Sequence, residues 1–537
     1  MTGIKDRVSQ GINRRVRHAA QNARLVKLSR QILAAEPDST QKPVIFFNAS
    51  TRLEAISLNA GFSLLTAWAL RLQGVPVVHF VCNRGMTHCV LGTDRDNIGN
   101  PPPCSICIAQ SEKTYANSDV RWLNPQTDET LQDLLVGLSV EELARVEYQD
   151  MPLGRLALPS LRWILRRHHL VDDEKTRHFF RQYILSVWTI AEQFGELLET
   201  IQPQAVVVFN GMFYPEASVR WVARNHDPAV RVISHEVGLR PFSGFFTTGD
   251  ATAYPIDLPD TFQLSQDQNE KLDAYLNQRR QGNFSMAGVR FWPEMNQMDT
   301  DFWEHAAGFK QMVSVFTNVI FDTSQDHANV IFDDMFSWLD EVLEIIRAHP
   351  ETLFVIRAHP DESRPGKQSL ESVAGWVKQH SVDQLSNVVF IPSDQHFSSY
   401  ELIEKSKFVM IYNSTIGLEA SISGAAVLCA GKSRFTQIPT VFFPSDRAEY
   451  LQTLEDFLAR ETIVVPEEFR QNARRFLYAQ IYRTSLLFDH FLEEDGVWRG
   501  YVAVKPFAID DLRPEKSETI KVLLEGILQE GSFLLDA

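Results

Sequence analysis

Two segments carry side chains able to bind an anion: FVIRAHPDE at Phe354 to Glu362, and FVMIYNSTIGLEASISGAAVLCAG at Phe408 to Gly431. In the first, Phe354, Val355 and Ile356 read as a buried strand. Pro360 must end it, because proline lacks an N–H and fixes its own φ. Arg357 and His359 are therefore expected at the strand's carboxyl edge. In the second, Phe408 to Tyr412 is again apolar, and Asn413, Ser414 and Thr415 form a polar cluster before a helix that runs from Ile416 through Glu419. A guanidinium, an imidazole, hydroxyls and free backbone N–H groups converging at strand ends suit a phosphate or diphosphate. A histidine before proline can also simply cap a strand, and NSTxGxEA can be an ordinary capped helix. The binding reading gains because both motifs end strands of one unit.

The elements that would hold these residues alternate. Met312 to Phe316, Thr352 to Ile356, Val388 to Ile391, Phe408 to Tyr412 and Ala425 to Ala430 read as strands, with Thr440 to Phe443 closing the series and single helices between them. Such a pattern implies a parallel sheet wound right-handedly. An earlier series begins with the strand Pro43 to Asn48, a helix Leu53 to Leu72 and the strand Val75 to Cys82, a βαβ start. It continues through helices to strands at Ala205 to Asn210 and Val230 to Ser234. At 537 residues the chain exceeds what one core usually serves, so two domains are expected. The expected division is a basic amphipathic helix over 1–42, a domain over 43–300, a second over 301–465 and a helical tail over 466–537. Within the tail one long amphipathic helix is expected from Glu467 to Glu494. Tyr254 to Met298, rich in Pro, Gln, Asp and Asn, reads as surface helices and the interdomain connection.

With IRAHP followed by YNSTIGLEASISGAAVLCAG, the stretch from about Val313 to Pro444 resembles bacterial capsule and surface polysaccharide biosynthesis proteins, the group that includes the 3-deoxy-manno-octulosonate (Kdo) transferases. The resemblance implies a B-type glycosyltransferase fold, with two facing Rossmann-like α/β domains and parallel sheets. It also implies transfer of a sugar from a nucleotide-sugar donor to a growing surface or capsular glycan, or to a lipid-linked acceptor. No further cofactor is required. Carried over by position, the histidine before proline and the Ser/Thr after the later strand bind donor phosphate, which maps onto His359, Ser414 and Thr415. Two other activities fit the same architecture: a nucleotide-sugar epimerase and a non-catalytic glycan- or nucleotide-binding protein.

Transfer also needs a base for the acceptor hydroxyl. FNGMFYPE offers Asn210 and Glu216, and SHEVGLRP offers His235 and Glu236, both after apolar strands and so expected at the interdomain cleft. Glu236 or His235 is the preferred base, with Glu216 next. Glu216 could equally open a helix, and the His-Glu pair could merely end a strand. Asn318 and Asp322, just beyond the Val313 strand, could hold sugar hydroxyls or build an Asx turn. Glu419, one helical turn past Thr415, could accept from a ribose or sugar hydroxyl or serve as a capping acid. The Asp94-Arg95-Asp96 triplet mimics the DxD metal motif of other glycosyltransferases, but without a strand end before it no catalytic metal is expected there.

Four of the five cysteines, Cys82, Cys89, Cys104 and Cys107, lie close in sequence. The Cys104/Cys107 spacing is that of structural zinc sites, while the Cys82/Cys89 spacing is irregular. A zinc site, reduced buried thiols and a redox pair all remain open, with His79 and His88 as alternative ligands. Cys429 reads as core.

Lys+Arg 52 against Asp+Glu 68 gives a net charge of −16, which argues against nucleic acid as a partner. The charge is uneven. Lys5, Arg7, Arg14, Arg15, Arg17, Arg24, Lys27 and Arg30 face the single acid Asp6 in the first stretch. Ile4, Val8, Ile12 and Val16 recur every four residues, so a helix there would be amphipathic with a basic face. It either packs on the first domain or touches an anionic membrane face. No stretch reads as a signal peptide or reaches the roughly 18 apolar residues of a membrane span, so a cytoplasmic location is expected.

Overall fold

The computed structural model describes residues 2–49, 54–281, 285–286, 289–290, 296–496 and 500–536, without the side chains of 2–13, 285–286 and 289–290. The chain divides into two compact α/β units, one of residues 1–164, 170–254 and 481–537, the other of 165–169 and 255–480. Both are Rossmann-like.

In the first unit five parallel strands, Val44–Asn48, Val77–Cys82, Asp119–Leu123, Ala205–Phe209 and Arg231–Val237, stand in the spatial order fifth, fourth, first, second, third. Val44 aligns with Val77 on one side and Ala205 on the other. Ser243–Thr247 and Leu486–Leu487 extend the fifth-strand edge antiparallel, which makes the sheet mixed rather than wholly parallel. The Leu58–Leu72 helix begins where Ser57 Oγ accepts the Ala60 N–H at 3.1 Å, and it buries Trp68 and Leu65 against the sheet. The expected start at Leu53 lies outside the described residues.

Three expectations for this unit change. Residues 255–300, expected in the first domain, belong to the second unit, where Arg279 of the Gln266–Arg280 helix pairs with Glu419. Residues 481–537 do not form a helical tail. They supply the Leu486–Leu487 edge strand, the strands Leu492–Glu494 and Tyr501–Val504 beside Ile56–Ser57, and the Glu518–Leu528 helix, whose Ile520, Leu523 and Ile527 share a core with Trp68. The long helix from Glu467 stops at Tyr478, winds one wide turn over Ala479–Arg483 and gives way at buried Thr484 and Ser485. Hydroxyl side chains there compete for backbone groups and disfavour a continuing helix.

The basic N-terminal segment is a helix, Thr2–Ile32. It packs through Leu25, Leu28 and Ile32, and Arg24 donates to the Val504 carbonyl at 2.8 Å. The repeat of Ile4, Val8 and Ile12 lies outside the described side chains, and Val16 is exposed. Among the described residues no helix is long and apolar enough to cross a membrane.

In the second unit the strands Gln311–Phe316, Thr352–Arg357, Val388–Ile391, Phe408–Ile411 and Val427–Cys429 are all parallel, in the order third, second, first, fourth, fifth. The order reverses between the first and fourth strands, so the carboxyl ends of those strands flank the crevice where ligands bind in such sheets. The Met335–Ala348 helix covers one face and buries Trp338, whose Nε1 donates to Tyr450 Oη at 2.8 Å. Thr440 to Phe443 is not a strand; Phe442 makes a single bridge to Leu428. Cys429 is buried, with Sγ at 3.1 Å from the Gly431 carbonyl.

Residues 165–169 join this unit through His169, whose Nδ1 lies 2.5 Å from Glu371 Oε1 and Nε2 3.2 Å from Asp334 Oδ2. Asp334 and Glu371 lift the imidazole to about 10. Burial works to raise both carboxyls, and His169 outweighs it and holds them below their ordinary values. A histidine raised on folding contributes stability that is complete below its ordinary 6.5 and is lost as pH climbs through about 10. The lowered carboxylates contribute above their ordinary range and lose that contribution in acid. The tether is thus complete only between roughly pH 4.5 and 6.5. His169→Gln should lower the melting temperature in that window, and the gap from the natural protein should shrink steadily as scans move toward pH 10. A gap constant over that range would refute the ion pair.

Candidate functional site

The pocket at the second unit's strand reversal is assembled from four elements. Arg357 ends one strand, His359 and Pro360 follow it, Ser414 and Thr415 follow the fourth strand, and Arg279 comes from the last turn of the Gln266–Arg280 helix. With Tyr400 these residues line a pocket of about 140 Å3. The sequence therefore brought five of its seven donor-site candidates, Arg357, His359, Ser414, Thr415 and Glu419, to one place.

Arg357 is 4% exposed, and its Nη1 is buried without a hydrogen-bond partner among the described residues. Burial pushes the guanidinium down to about 10, so it still carries its charge at neutral pH. A buried cationic N–H left unpaired costs on the order of 1–3 kcal/mol, which an anion in the pocket would recover. His359 Nδ1 accepts the Asp361 N–H at 3.1 Å, so a neutral ring carries its proton on Nε2 as a donor. Burial and then the Arg357 charge pull this imidazole below its ordinary value, against Asp361 and Asp322. Ser414 is buried and Thr415 exposed at the start of the short Ile416–Ile422 helix, where no side chain caps the first turn.

Glu419 plays a different part from the other four, and Asn318 and Asn413 lie outside the lining. Glu419 also lines the pocket, but Arg279 Nε donates to its Oε1 at 2.7 Å and the Tyr400 hydroxyl to its Oε2. Both oxygens are engaged, so Glu419 orders Arg279 rather than offering an open acceptor to a ribose. The Arg279 charge is raised in return: burial opposes it, and Glu419 and Tyr275 outweigh burial. Asn318 Oδ1 accepts the Asn413 N–H at 3.3 Å, so this residue joins the first and fourth strand ends and does not line the pocket. Asn413 Oδ1 is buried without a hydrogen-bond partner among the described residues, and Asn413 does not line the pocket. Asp322 Oδ2 accepts from Ser324 Oγ at 3.1 Å, and its carbonyl accepts the Gln325 N–H at 3.0 Å in a backbone turn. Arg279 and Tyr400 had no motif; the sole signal was an Arg-Arg pair closing a helix read as a connection.

In the first unit Glu236 is half-buried near the end of its strand. Its Oε2 accepts from Asn210 Nδ2 at 2.8 Å, and its Oε1 from Asn59 Nδ2 at 3.4 Å and from the Val237 N–H at 3.0 Å. Asn210 turns there with φ 54, its Oδ1 accepting the Met212 N–H at 3.0 Å, and Gly211 follows at φ 88. A Cβ on Gly211 would meet Arg220 Nη1 at 2.7 Å, where that side chain bonds the Gly211 carbonyl and Asp250. Gly211→Ala should therefore cost about 1 kcal/mol or more in thermal unfolding, through left-handed strain and a displaced arginine.

His235 is not a base candidate in this fold. It points into the core with 2% exposure, stacks on Phe246 at 5.0 Å, and burial pushes it down to about 3. Glu216 is buried in the first turn of the Tyr214–Asn225 helix. Burial, with a lesser contribution from Glu236, pushes it up to about 8, so at neutral pH it holds its proton and cannot accept one. Among the three candidates, Glu236 alone combines access with oriented donors. Asp94 builds its own loop, accepting from the Asp96 N–H at 3.0 Å and from Asn100 at 2.7 Å.

Residues 293–438 match the model of the family described as capsule polysaccharide biosynthesis protein. A search of the curated proteins finds no match. Among solved structures the chain is similar to the β-Kdo 2,4 transferase of Thermosulfurimonas dismutans KpsC, at 12% identity over 53% of this chain and 80% of that one, TM-score 0.35. The β-Kdo 2,7 transferase of the same protein gives 16% identity, 56% and 84% coverage and a TM-score of 0.32. The UDP-GlcNAc 2-epimerase of Neisseria meningitidis bound to UDP-GlcNAc gives 12%, 82% and 99%, with a TM-score of 0.24. Likenesses of this degree concern fold and no more.

Proposed function

We propose that this chain, a member of the capsule polysaccharide biosynthesis family over residues 293–438, is a glycosyltransferase that moves a sugar from a nucleotide-sugar donor to a growing surface glycan or its lipid-linked precursor. The observation that carries the reading is the buried Nη1 of Arg357, without a hydrogen-bond partner among the described residues, at the sheet's strand reversal beside His359, Ser414 and Thr415. Arg357 and the His359 Nε2 proton meet the donor phosphate oxygens, and Ser414 and Thr415 add neutral donors. Arg279, fixed by Glu419 and Tyr400, adds a second cation on the same pocket. As the bond from the anomeric carbon to the phosphate oxygen breaks, these groups stabilise charge growing on the leaving phosphate. The acceptor oxygen attacks that carbon, and its proton passes to Glu236, oriented by Asn210 and Asn59.

The test is identification, by mass spectrometry of the denatured protein, of the nucleotide sugar that copurifies, followed by titration calorimetry with that compound. Saturable binding supports the reading. Absence of binding by any nucleotide sugar or nucleoside diphosphate refutes it. Contact with an anionic membrane through the basic N-terminal helix belongs to the same proposal, and vesicle flotation in the presence and absence of anionic lipid reads it directly.

A further inference from the structure

The four clustered cysteines, which the donor pocket does not use, come together in the first unit. Cys82 ends a strand, Cys89 lies in the loop after it, and Cys104 and Cys107 sit in the first turn of the Cys104–Thr114 helix, yet all four line one small cavity of about 20 Å3. Neither His79 nor His88 lines it. Each of the first two cysteines begins a Cys-x-x-Gly turn whose amides point at sulfur. The Gly92 N–H donates to Cys89 Sγ at 3.2 Å, and the Gly85 and Met86 N–H groups donate to Cys82 Sγ. Glycine is required in the second turn, because a Cβ on Gly92 would stand 2.9 Å from Cys89 Sγ and 2.8 Å from the Pro102 ring. The other pair faces the positive end of a helix, and Arg84 adds a charge at the cavity.

Amides aimed at sulfur, a helix N-terminus and an arginine offset part of the burial cost of thiolates here, and four sulfurs lining one cavity form the donor set of a thiophilic cation. We propose that Cys82, Cys89, Cys104 and Cys107 ligate a thiophilic metal centre, zinc or an iron–sulfur cluster, that fastens the 83–103 loop to the Cys104–Thr114 helix. With four protein ligands no coordination position stays open, so the centre is structural. The cavity bears on both occupants. Its volume has room for about one water-sized occupant, so it suits a single ion as it stands and would have to widen for a cluster. The three-ligand group that closes within 4.8 Å among the described residues is His168, His169 and Asp334 rather than any three of these sulfurs, whereas zinc with bonds of about 2.3 Å needs sulfurs roughly 3.8 Å apart. Zinc would draw the sulfurs inward, and a cluster would accept them further apart.

Elemental analysis with acid-labile sulfide, on full-length protein purified without chelator from both zinc-supplemented and anaerobic iron-supplemented growth, decides. The expected result is either near one zinc per chain or iron with matching sulfide. Retention should fall at least tenfold in Cys104→Ser and Cys89→Ser and stay full in Cys429→Ser. Should the first two variants not fold, the natural protein still answers: a mercurial that takes up four protected thiols per chain releases the metal in step, read with a chromogenic chelator. Protein free of metal from both preparations, or metal unchanged in folded Cys104→Ser, overturns the proposal.

Discussion

Arg357→Ala is expected to weaken nucleotide-sugar binding by roughly ten- to a hundredfold, the value of one charge-assisted contact of about 1.5–3 kcal/mol. The side chain is buried, its Nη1 has no hydrogen-bond partner among the described residues, and it lines the pocket with His359 and Ser414. Calorimetry on protein whose thermal transition is intact measures the loss. Arg357→Lys keeps the charge but not the planar fork, and should fall between the two. His359→Ala and the double change Ser414→Ala, Thr415→Ala should each weaken binding in the same direction. Unchanged affinity across this series, in folded proteins, would remove the pocket from the account.

Glu236→Gln is expected to lower turnover about a hundredfold or more while donor affinity stays near that of the natural protein. The amide keeps the shape and still accepts from Asn210, but it cannot take a proton. A turnover-against-pH profile adds a readout that a structural role would not move: the limb attributable to the carboxylate should vanish in the variant. Normal turnover in the variant would leave the acceptor's proton to a group outside the three candidates, because His235 is sealed in the core and Glu216 is protonated at neutral pH.

The strand-and-helix alternation of both units was legible in the chain because buried parallel strands are short apolar runs, as at Val44–Asn48 and Phe408–Ile411, and need no distant partner to be recognised. The edge strand Asp119–Leu123 was not. Its sequence DVRWL alternates charged and apolar residues, and of its five residues Leu123 alone is buried. Leu486–Leu487 escaped for a related reason, since two leucines inside a helical pattern become a strand only when the Ser243–Gly244 edge is there to pair with. The donor pocket was legible where chemistry and strand end coincide in sequence, at Arg357, His359, Ser414 and Thr415. Arg279 and Tyr400 reach it by tertiary packing through Glu419, and no spacing announces that. His235 and Glu236 are adjacent, and strand alternation sends one into the core and leaves the other accessible. The motif located the pair, and the pleat chose between them.

The most direct measurement of the central claim is the release of free nucleotide from a nucleotide-sugar panel with and without an acceptor glycan, using the natural protein and Arg357→Ala side by side. A glycosyltransferase with its donor phosphate on Arg357 releases nucleotide only when acceptor is present, elongates that acceptor by one sugar per nucleotide, and loses most of the signal in the variant at subsaturating donor. Interconversion of sugar nucleotides without acceptor, or acceptor-dependent transfer indifferent to Arg357, would contradict the account.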